Sequence, residues 1–254
     1  MKRYIKSTQS IFAGYSCNGW FNILKNQKIP VSSYDDLDYY ERKEIEHFDD
    51  DEWSWGNSVR YRTDPEYVDG GYQCIIDYTG GWDHDVNNHL RGKKYNNDRG
   101  WTKYTTRQHA NRMHKVISNA VLPKDIVTIR WADIDNLVAY LGKQAPENIQ
   151  KGNIETYIGK IVKERGFYSS SMCGDITHHD YYKTKQVQFI TLLPKGSPAI
   201  YVWEHVTRHP REFEIILTNG SSFIIRDIQY SENGFDASSG LESGAKYRVF
   251  MEKV

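Results

Sequence analysis

Residues 208–218 have the sequence RHPREFEIILT, in which two glutamates stand directly ahead of an apolar run. The apolar run predicts a β-strand, and side chains along a strand alternate between its two faces. Glu212 and Glu214 are therefore expected to point to the same side, with Cα atoms roughly 6–7 Å apart. Like charges this close repel each other, so the pair indicates a site for chemistry or for a cation. A charged strand edge that discourages pairing with another chain is the alternative.

The chain around this stretch contains further strand signals. Strands are predicted over residues 125–130, 186–193, 199–203, 212–218, 221–227 and 246–253. Asn219-Gly220 separates two of these runs and predicts a tight hairpin between them.

Helical patterns dominate the chain before Gly166. Helices are predicted over residues 83–91, from Thr105 or Thr106 to Pro123, over residues 133–141 and over residues 153–162. Helices that come first and strands that come later indicate an α+β fold with a mostly antiparallel sheet.

Composition narrows the class of protein. The 254 residues carry no formal net charge, so no long-range field favours a nucleic acid or an anionic membrane as partner. Cys17, Cys74 and Cys173 are far apart and lack CxxC spacing, which argues against a disulfide framework and against a zinc site.

No apolar stretch approaches the ~20 residues that span a bilayer, and the N-terminus lacks the apolar core of a signal peptide. We expect a protein kept in a reducing cytosol as synthesised, while delivery into another cell by a leaderless route stays open.

Residues 1–70 differ from the rest of the chain in charge. They hold nine Lys/Arg and thirteen Asp/Glu, a net charge of −4, and include the acidic run Asp49–Glu52. We interpret them as an acidic, aromatic-rich appendage of unknown role. The Gly70-Gly71 pair is the expected boundary, with the main domain over residues 71–254.

Four motifs follow one another in this main domain. They are DYTG at 77–80 with VNNHLR at 86–91, Arg130 at the end of a predicted strand, GFYSSS at 166–171, and EFE at 212–214. Each motif alone is weak. In this order they resemble the mono-ADP-ribosyltransferase toxins of the Arg–Ser–Glu class, which include clostridial exoenzymes and binary actin-modifying toxins. The resemblance covers residues 72–254 and is to the Glu-x-Glu subtype.

The resemblance implies a fold and a co-substrate. It implies that residues 71–254 form an ADP-ribosyltransferase catalytic domain with a split antiparallel β core, and that the co-substrate is NAD. The residues implied to contact NAD are Asn87, Arg91, Arg130, Phe167, Ser169 and Glu214. Arg suits the pyrophosphate because a guanidinium meets phosphate through paired charge-assisted bonds.

Other roles remain open for several of these residues. Arg91 is alternatively a cation at a helix C-terminus, Asn87 a surface residue of a helix, and Phe167 an ordinary core residue. The histidine pairs His178-His179 and His205/His209 lack a third ligand at a diagnostic spacing, so no metal is expected.

The resemblance also implies a catalytic set, namely Arg130, Ser169, Glu212 and Glu214. Loss of nicotinamide builds positive charge on the ribose, and the carboxylate of Glu214, held by the hydroxyl of Ser169, would stabilise that charge. Glu212 would bind the acceptor and take its proton, and His209 stands where relatives recognise the acceptor.

Relatives with glutamate at position 212 modify arginine, so the implied acceptor is an arginine side chain of a protein. The basic residues Arg208, His209 and Arg211 keep a nucleic-acid acceptor open. A dedicated NAD glycohydrolase and a catalytically silent binding module stay open as well. An immunity or antitoxin partner would be consistent with a toxin.

Overall fold

The computed structural model describes residues 19–20, 23–24, 27, 72–93, 103–122, 124–172, 184–202, 212–235 and 244–254. Within these residues the chain is an α+β fold with one large mixed sheet, and the predicted fold class is confirmed.

Helices occupy the first part of the described chain. They are α1 (Tyr72–Asp77), followed by a π-helical turn (Tyr78–Trp82), α2 (Asp83–Leu90), α3 (Lys103–Ser118), α4 (Ile134–Leu141) and α5 (Ala145–Gln150). The predictions for α2, α3 and α4 are confirmed, although α3 ends before Pro123 is reached. α4 stops at Gly142, whose φ of 101° favours glycine. None of the described helices is long and apolar enough to cross a membrane.

The helix predicted over residues 153–162 is wrong. Residues 155–159 form turns, and a strand begins at Ile161. Gly152 and Gly159 adopt φ values of 78° and 82°, which a right-handed helix does not contain. The apolar pattern instead comes from burial of Tyr157 in a turn and of Val162 in the strand.

Eight described strands form one sheet. They are β1 (Ile126–Ala132), β2 (Ile161–Lys163), β3 (Tyr168–Ser171), β4 (Val187–Leu193), β5 (Ala199–Tyr201), β6 (Glu214–Leu217), β7 (Ser222–Tyr230) and β8 (Tyr247–Lys253). Their order across the sheet is β2-β7-β8-β4-β1-β3-β6-β5. β4 and β8 run parallel, whereas the other strand pairs of the described sheet are antiparallel.

The sheet is split between β1 and β3. These two strands share a single registered pair, Ile129↔Ser171. Five strands lie on one side of this junction and three on the other. Because β1 and β3 diverge beyond the shared pair, a cleft opens between the two parts of the sheet.

The hairpin predicted across Asn219-Gly220 is wrong in its pairing. The turn itself forms, with a φ of 81° at Gly220 and a hydrogen bond from the Ser221 hydroxyl to the carbonyl of Thr218. However, β6 pairs with β3 and β5, while β7 pairs with β2 and β8. Both edges of each strand are occupied, so the turn connects the two parts of the split sheet instead of closing a hairpin.

The sheet buries apolar residues on both faces. The larger cluster lies between the helices and the sheet, and it includes Met113, Ile117 and Leu137. On the opposite face, Trp20 and Leu24 pack against alternate residues of β1. The predicted boundary at residues 70–71 lies outside the described residues and stays a prediction.

Candidate active site

A cleft of about 1020 Å³ lies at the junction of β1 and β3. It collects side chains from separate parts of the sequence, so only folding brings them together. Among the residues predicted for the site, those that line the cleft are Asn87, Arg91, Arg130, Ser169, Glu212 and Glu214. His209 lies outside the described residues.

Glu214 and Ser169 are in direct contact in this cleft. β3 and β6 pair antiparallel, with Ser171 opposite Glu214 and Ser169 opposite Ile216. Residues two apart on a strand share a face, so Ser169 is the diagonal neighbour of Glu214. The hydroxyl of Ser169 donates a hydrogen bond to Oε1 of Glu214, which fixes the carboxylate.

The environment of Glu214 disfavours its charged form. Burial raises the pKa of Glu214 to about 8, and the neighbouring carboxylates of Glu212 and Asp83 raise it as well. The hydrogen bond from Ser169 and the charge of Arg130 act in the opposite direction, towards a lower pKa. Glu214 is thus a buried acid that titrates close to neutral pH, as catalytic carboxyl groups often do.

Glu212 also lines the cleft, but not by strand alternation. The strand begins at Glu214, so the prediction that both glutamates lie on one strand is wrong. Phe213 between them has a φ of 47°, a left-handed conformation that a bulky residue rarely adopts. Its carbonyl accepts a hydrogen bond from the backbone N–H of Met172 at 3.0 Å, which holds this turn against the end of β3. Strained backbone of this kind is concentrated at functional sites.

Arg91 and Arg130 line the same cleft and surround a glutamate that the sequence did not single out. Glu164 is 3% exposed and accepts two bonds of 3.0 Å from Arg91, at Nε and Nη2. It also accepts a bond of 2.7 Å from the hydroxyl of Tyr140. Burial on its own would raise the pKa of Glu164, but the hydrogen bond from Arg91 and the charges of Arg130 and Arg91 hold that pKa below its ordinary value. Glu164 is therefore an anion.

Arg130 has unused hydrogen-bonding capacity. Its Nη1 is buried, has no hydrogen-bond partner among the described residues, and lies 3.8 Å from Oε2 of Glu164. Its guanidinium stands 5.1 Å from the ring centre of Tyr168. The hydroxyl of Ser170, which also lines the cleft, is buried without a partner among the described residues as well. A buried donor without a partner costs free energy, so these groups suit an anionic or polar ligand.

Asn87 holds the start of the Gly-Phe-x-Ser segment. Its side-chain oxygen accepts a bond of 2.8 Å from the N–H of Phe167, and its amide donates one of 2.9 Å to the hydroxyl of Tyr78. Phe167 is fully buried, with its ring 5.8 Å from that of Tyr78, and it does not line the cleft. These contacts are those of a core residue, and a contact between Phe167 and NAD stays a prediction.

Replacing Gly166 with Ala is expected to destabilise the protein by about 1–3 kcal/mol, because the added methyl group overpacks a buried site. A Cβ at this position would meet Oδ1 of Asn87 at 2.5 Å and its Cγ at 2.9 Å. Urea unfolding of the variant and the wild type measures the difference. Removing the Asn87 amide should relieve the clash, so Gly166→Ala should cost less in an Asn87→Ala background. An equal cost in both backgrounds would contradict this account.

No group of three or more His, Cys, Asp and Glu within the described part of the chain could hold a metal ion. The cleft offers donors and carboxylates to a ligand. It is lined by the guanidinium groups of Arg91 and Arg130, by the hydroxyls of Ser169 and Ser170, and by the carboxylates of Glu164, Glu212 and Glu214.

The family model of the ADP-ribosyltransferase exoenzymes matches residues 54–250 of this chain. The chain belongs to the ADP-ribosyltransferase exoenzyme family. Membership confirms the predicted enzyme class, an ADP-ribosyltransferase. The Arg–Ser–Glu class and the Glu-x-Glu subtype stay predictions. No curated protein matches the chain.

Solved structures of ADP-ribosylating toxins share this exoenzyme fold. Plx2a, an ADP-ribosyltransferase toxin from Paenibacillus larvae, is 18% identical over 84% of this chain and 96% of its own, with a TM-score of 0.57. C3stau2 from S. aureus, solved with NAD, is 18% identical over 79% of this chain and 93% of its own, with a TM-score of 0.57. The ADP-ribosylating toxin BECa of C. perfringens, solved with NADH, is 18% identical over 84% of this chain, with a TM-score of 0.62, and this chain covers 48% of it.

Proposed function

We propose that this ADP-ribosyltransferase uses NAD and transfers the ADP-ribose group to an arginine side chain of a target protein. The observation that supports this most strongly is the contact between Ser169 and Glu214. It places a fixed, buried carboxylate in a cleft that also contains Arg130.

The donor set of the cleft suits NAD. A pyrophosphate is a dianion that takes charge-assisted bonds from guanidinium groups. Arg130 offers a buried nitrogen without a partner among the described residues, and Arg91 keeps N–H groups that its bonds to Glu164 do not use. C3stau2, which shares the fold, was solved with NAD. These observations support residues 91 and 130 as pyrophosphate contacts.

Glu214 would act on the ribose. When the bond between ribose C1′ and the nicotinamide nitrogen breaks, its electron pair leaves with nicotinamide and positive charge builds on the sugar. An ionised carboxylate beside the sugar stabilises this charge more in the transition state than in the ground state. Ser169 holds that carboxylate in one orientation, so little rearrangement is needed during reaction.

Glu212 would act on the acceptor. A guanidinium has a pKa above about 12, so it must lose a proton as its nitrogen attacks ribose C1′. Glu212 lines the cleft beside Glu214 and would take that proton as the new C–N bond forms. His209, placed in the preceding loop by sequence, is proposed as a further acceptor contact.

Glu212→Gln tests the acceptor step separately from the breaking of NAD. We expect transfer to agmatine, a small guanidinium compound, to fall about tenfold more than NAD hydrolysis without acceptor, because a neutral amide cannot take the proton. Labelled ADP-ribosyl-agmatine measures the first rate, and released nicotinamide measures the second.

Three results would each contradict one part of this proposal. Equal losses in both rates would show that Glu212 does not act on the acceptor. A wild type that hydrolyses NAD but modifies neither agmatine nor protein would be an NAD glycohydrolase. Label in a cell lysate that disappears on nuclease treatment would identify a nucleic-acid acceptor.

A further inference from the structure

We propose that Glu164 is a positioning residue for ADP-ribosyl transfer, which orients both cleft arginines for the pyrophosphate of NAD. The inference rests on the proposed use of NAD. Glu164 itself would touch neither the ribose nor the acceptor, and would act through Arg91 and Arg130.

The carboxylate of Glu164 is the centre of a buried network. Its Oε1 accepts bonds from Nε of Arg91 at 3.0 Å and from the backbone N–H of Gly166 at 2.7 Å. Its Oε2 accepts bonds from Nη2 of Arg91 at 3.0 Å and from the Tyr140 hydroxyl at 2.7 Å, and it faces Arg130 Nη1 at 3.8 Å. Four donors from three parts of the chain therefore fix the carboxylate, and the carboxylate fixes Arg91 in turn.

The network leaves both arginines able to bind an anion. The paired bonds to Glu164 use two of the five N–H groups of Arg91, and three do not bond Glu164, two of them on Nη1. Nη1 of Arg130 is too far from Glu164 for a hydrogen bond and has no other partner within the described residues. Two guanidinium groups around one carboxylate carry a net charge of +1, which complements a pyrophosphate dianion without leaving two unpaired cations side by side in the cleft.

Glu164 also connects the arginines to the strand that carries Ser169. Its bond to the N–H of Gly166 fixes the chain two residues before β3 begins at Tyr168. Loss of this carboxylate should therefore disturb the binding of NAD first, since both guanidinium groups depend on it.

Glu164→Gln is expected to raise the KM for NAD at least about tenfold and to lower kcat much less, because the amide can accept from only one oxygen and carries no charge. The matched control is Glu252→Gln, which breaks another buried ion pair, with Arg226 Nη2 at 2.6 Å, away from the cleft. That control should change the KM by no more than about twofold. An unchanged KM in Glu164→Gln, with wild-type turnover of NAD, would overturn this inference and leave the proposed function intact.

A double variant separates positioning from a purely structural role. If Glu164 acts partly through Arg91, then Glu164→Gln should raise the KM by a smaller factor once Arg91 is already Met, since only its effect through Arg130 is left. If the double variant raised the KM by the product of the two single factors, Glu164 would work independently of Arg91, and the proposal would be contradicted.

Tyr140→Phe is the second test, should Glu164→Gln not fold. It keeps the carboxylate and removes one of its donors, and we expect the KM for NAD to rise about two- to fivefold. No rise would count against the network, whereas a wild type without any nicotinamide release would count against the proposed function itself.

Discussion

Replacing Glu214 with Gln is expected to slow nicotinamide release from NAD by at least about a hundredfold, the scale of loss when a preorganised charge contact is removed. The residue is 9% exposed and its carboxylate is held by Ser169, so water cannot readily take its place. Glutamine has nearly the same shape, and its oxygen can still accept the bond from Ser169. The change therefore removes charge with little change in packing, and the loss should appear in kcat.

The pH dependence of the stability of Glu214→Gln checks the raised pKa of Glu214 independently of activity. The pKa of Glu214 is raised to about 8 in the folded protein, above its value in the unfolded chain. The contribution of this group to the free energy of unfolding is therefore fully present only at a pH below its pKa in the unfolded chain. That contribution is lost as the pH rises towards 8, because Glu214 then ionises in the unfolded chain but stays protonated in the folded one. Glu214→Gln should therefore be as stable as the wild type at low pH and more stable above pH 8.

Equal nicotinamide release by the wild type and Glu214→Gln would exclude the carboxylate from catalysis, and no release by either would favour a silent binding module.

Local sequence signals predicted several helices and strands of the fold, because interactions between neighbouring residues determine where these elements form and end. The β-branched residues of β1 and the glycine after α4 define their elements without help from distant contacts. The Asn219-Gly220 turn was also predicted correctly as a turn. Its strand pairing was not, because pairing depends on which edges are free, and β3 and β5 already occupy both edges of β6.

The helix predicted over residues 153–162 failed for a related reason. Its apolar spacing fits one helix face, but the same spacing arises when a buried turn residue precedes a half-buried strand. Gly159 is the local signal against a helix, and at a φ of 82° it ends any helical path before β2. The helix was nevertheless predicted, because the prediction rested on the apolar spacing and not on this glycine.

The candidate site was predicted where its residues form a pattern and missed where they do not. Glu212 and Glu214 form a recognisable pair, and the serine motif stands in the expected order before them. Glu164 lies between a lysine and an arginine, a context typical of a solvated turn. Only the three-dimensional contacts with Arg91, 73 residues earlier, distinguish it from a surface residue.

The rate of NAD breakdown is expected to depend steeply on pH, because Glu214 must be ionised to stabilise positive charge. With a pKa of about 8 in the free protein, kcat/KM for nicotinamide release should rise about tenfold per pH unit up to that pH and then level off. The rate at pH 6 should thus be roughly a hundredfold below the plateau. Hydrolysis without acceptor, measured from about pH 5.5 to about pH 9.5 so that the series brackets this pKa, gives the midpoint.

Two neighbours of Glu214 should move this midpoint in opposite directions. Glu212→Gln removes a negative charge that raises the pKa, so its profile should shift to lower pH. Ser169→Ala removes a hydrogen bond that lowers the pKa, so its profile should shift to higher pH, in addition to any loss of rate. Asp83→Asn should shift the profile in the same direction as Glu212→Gln, and loss of Arg130 in the opposite direction. A flat wild-type profile, or shifts of the same sign for residues 169 and 212, would mean that a group other than Glu214 controls the reaction.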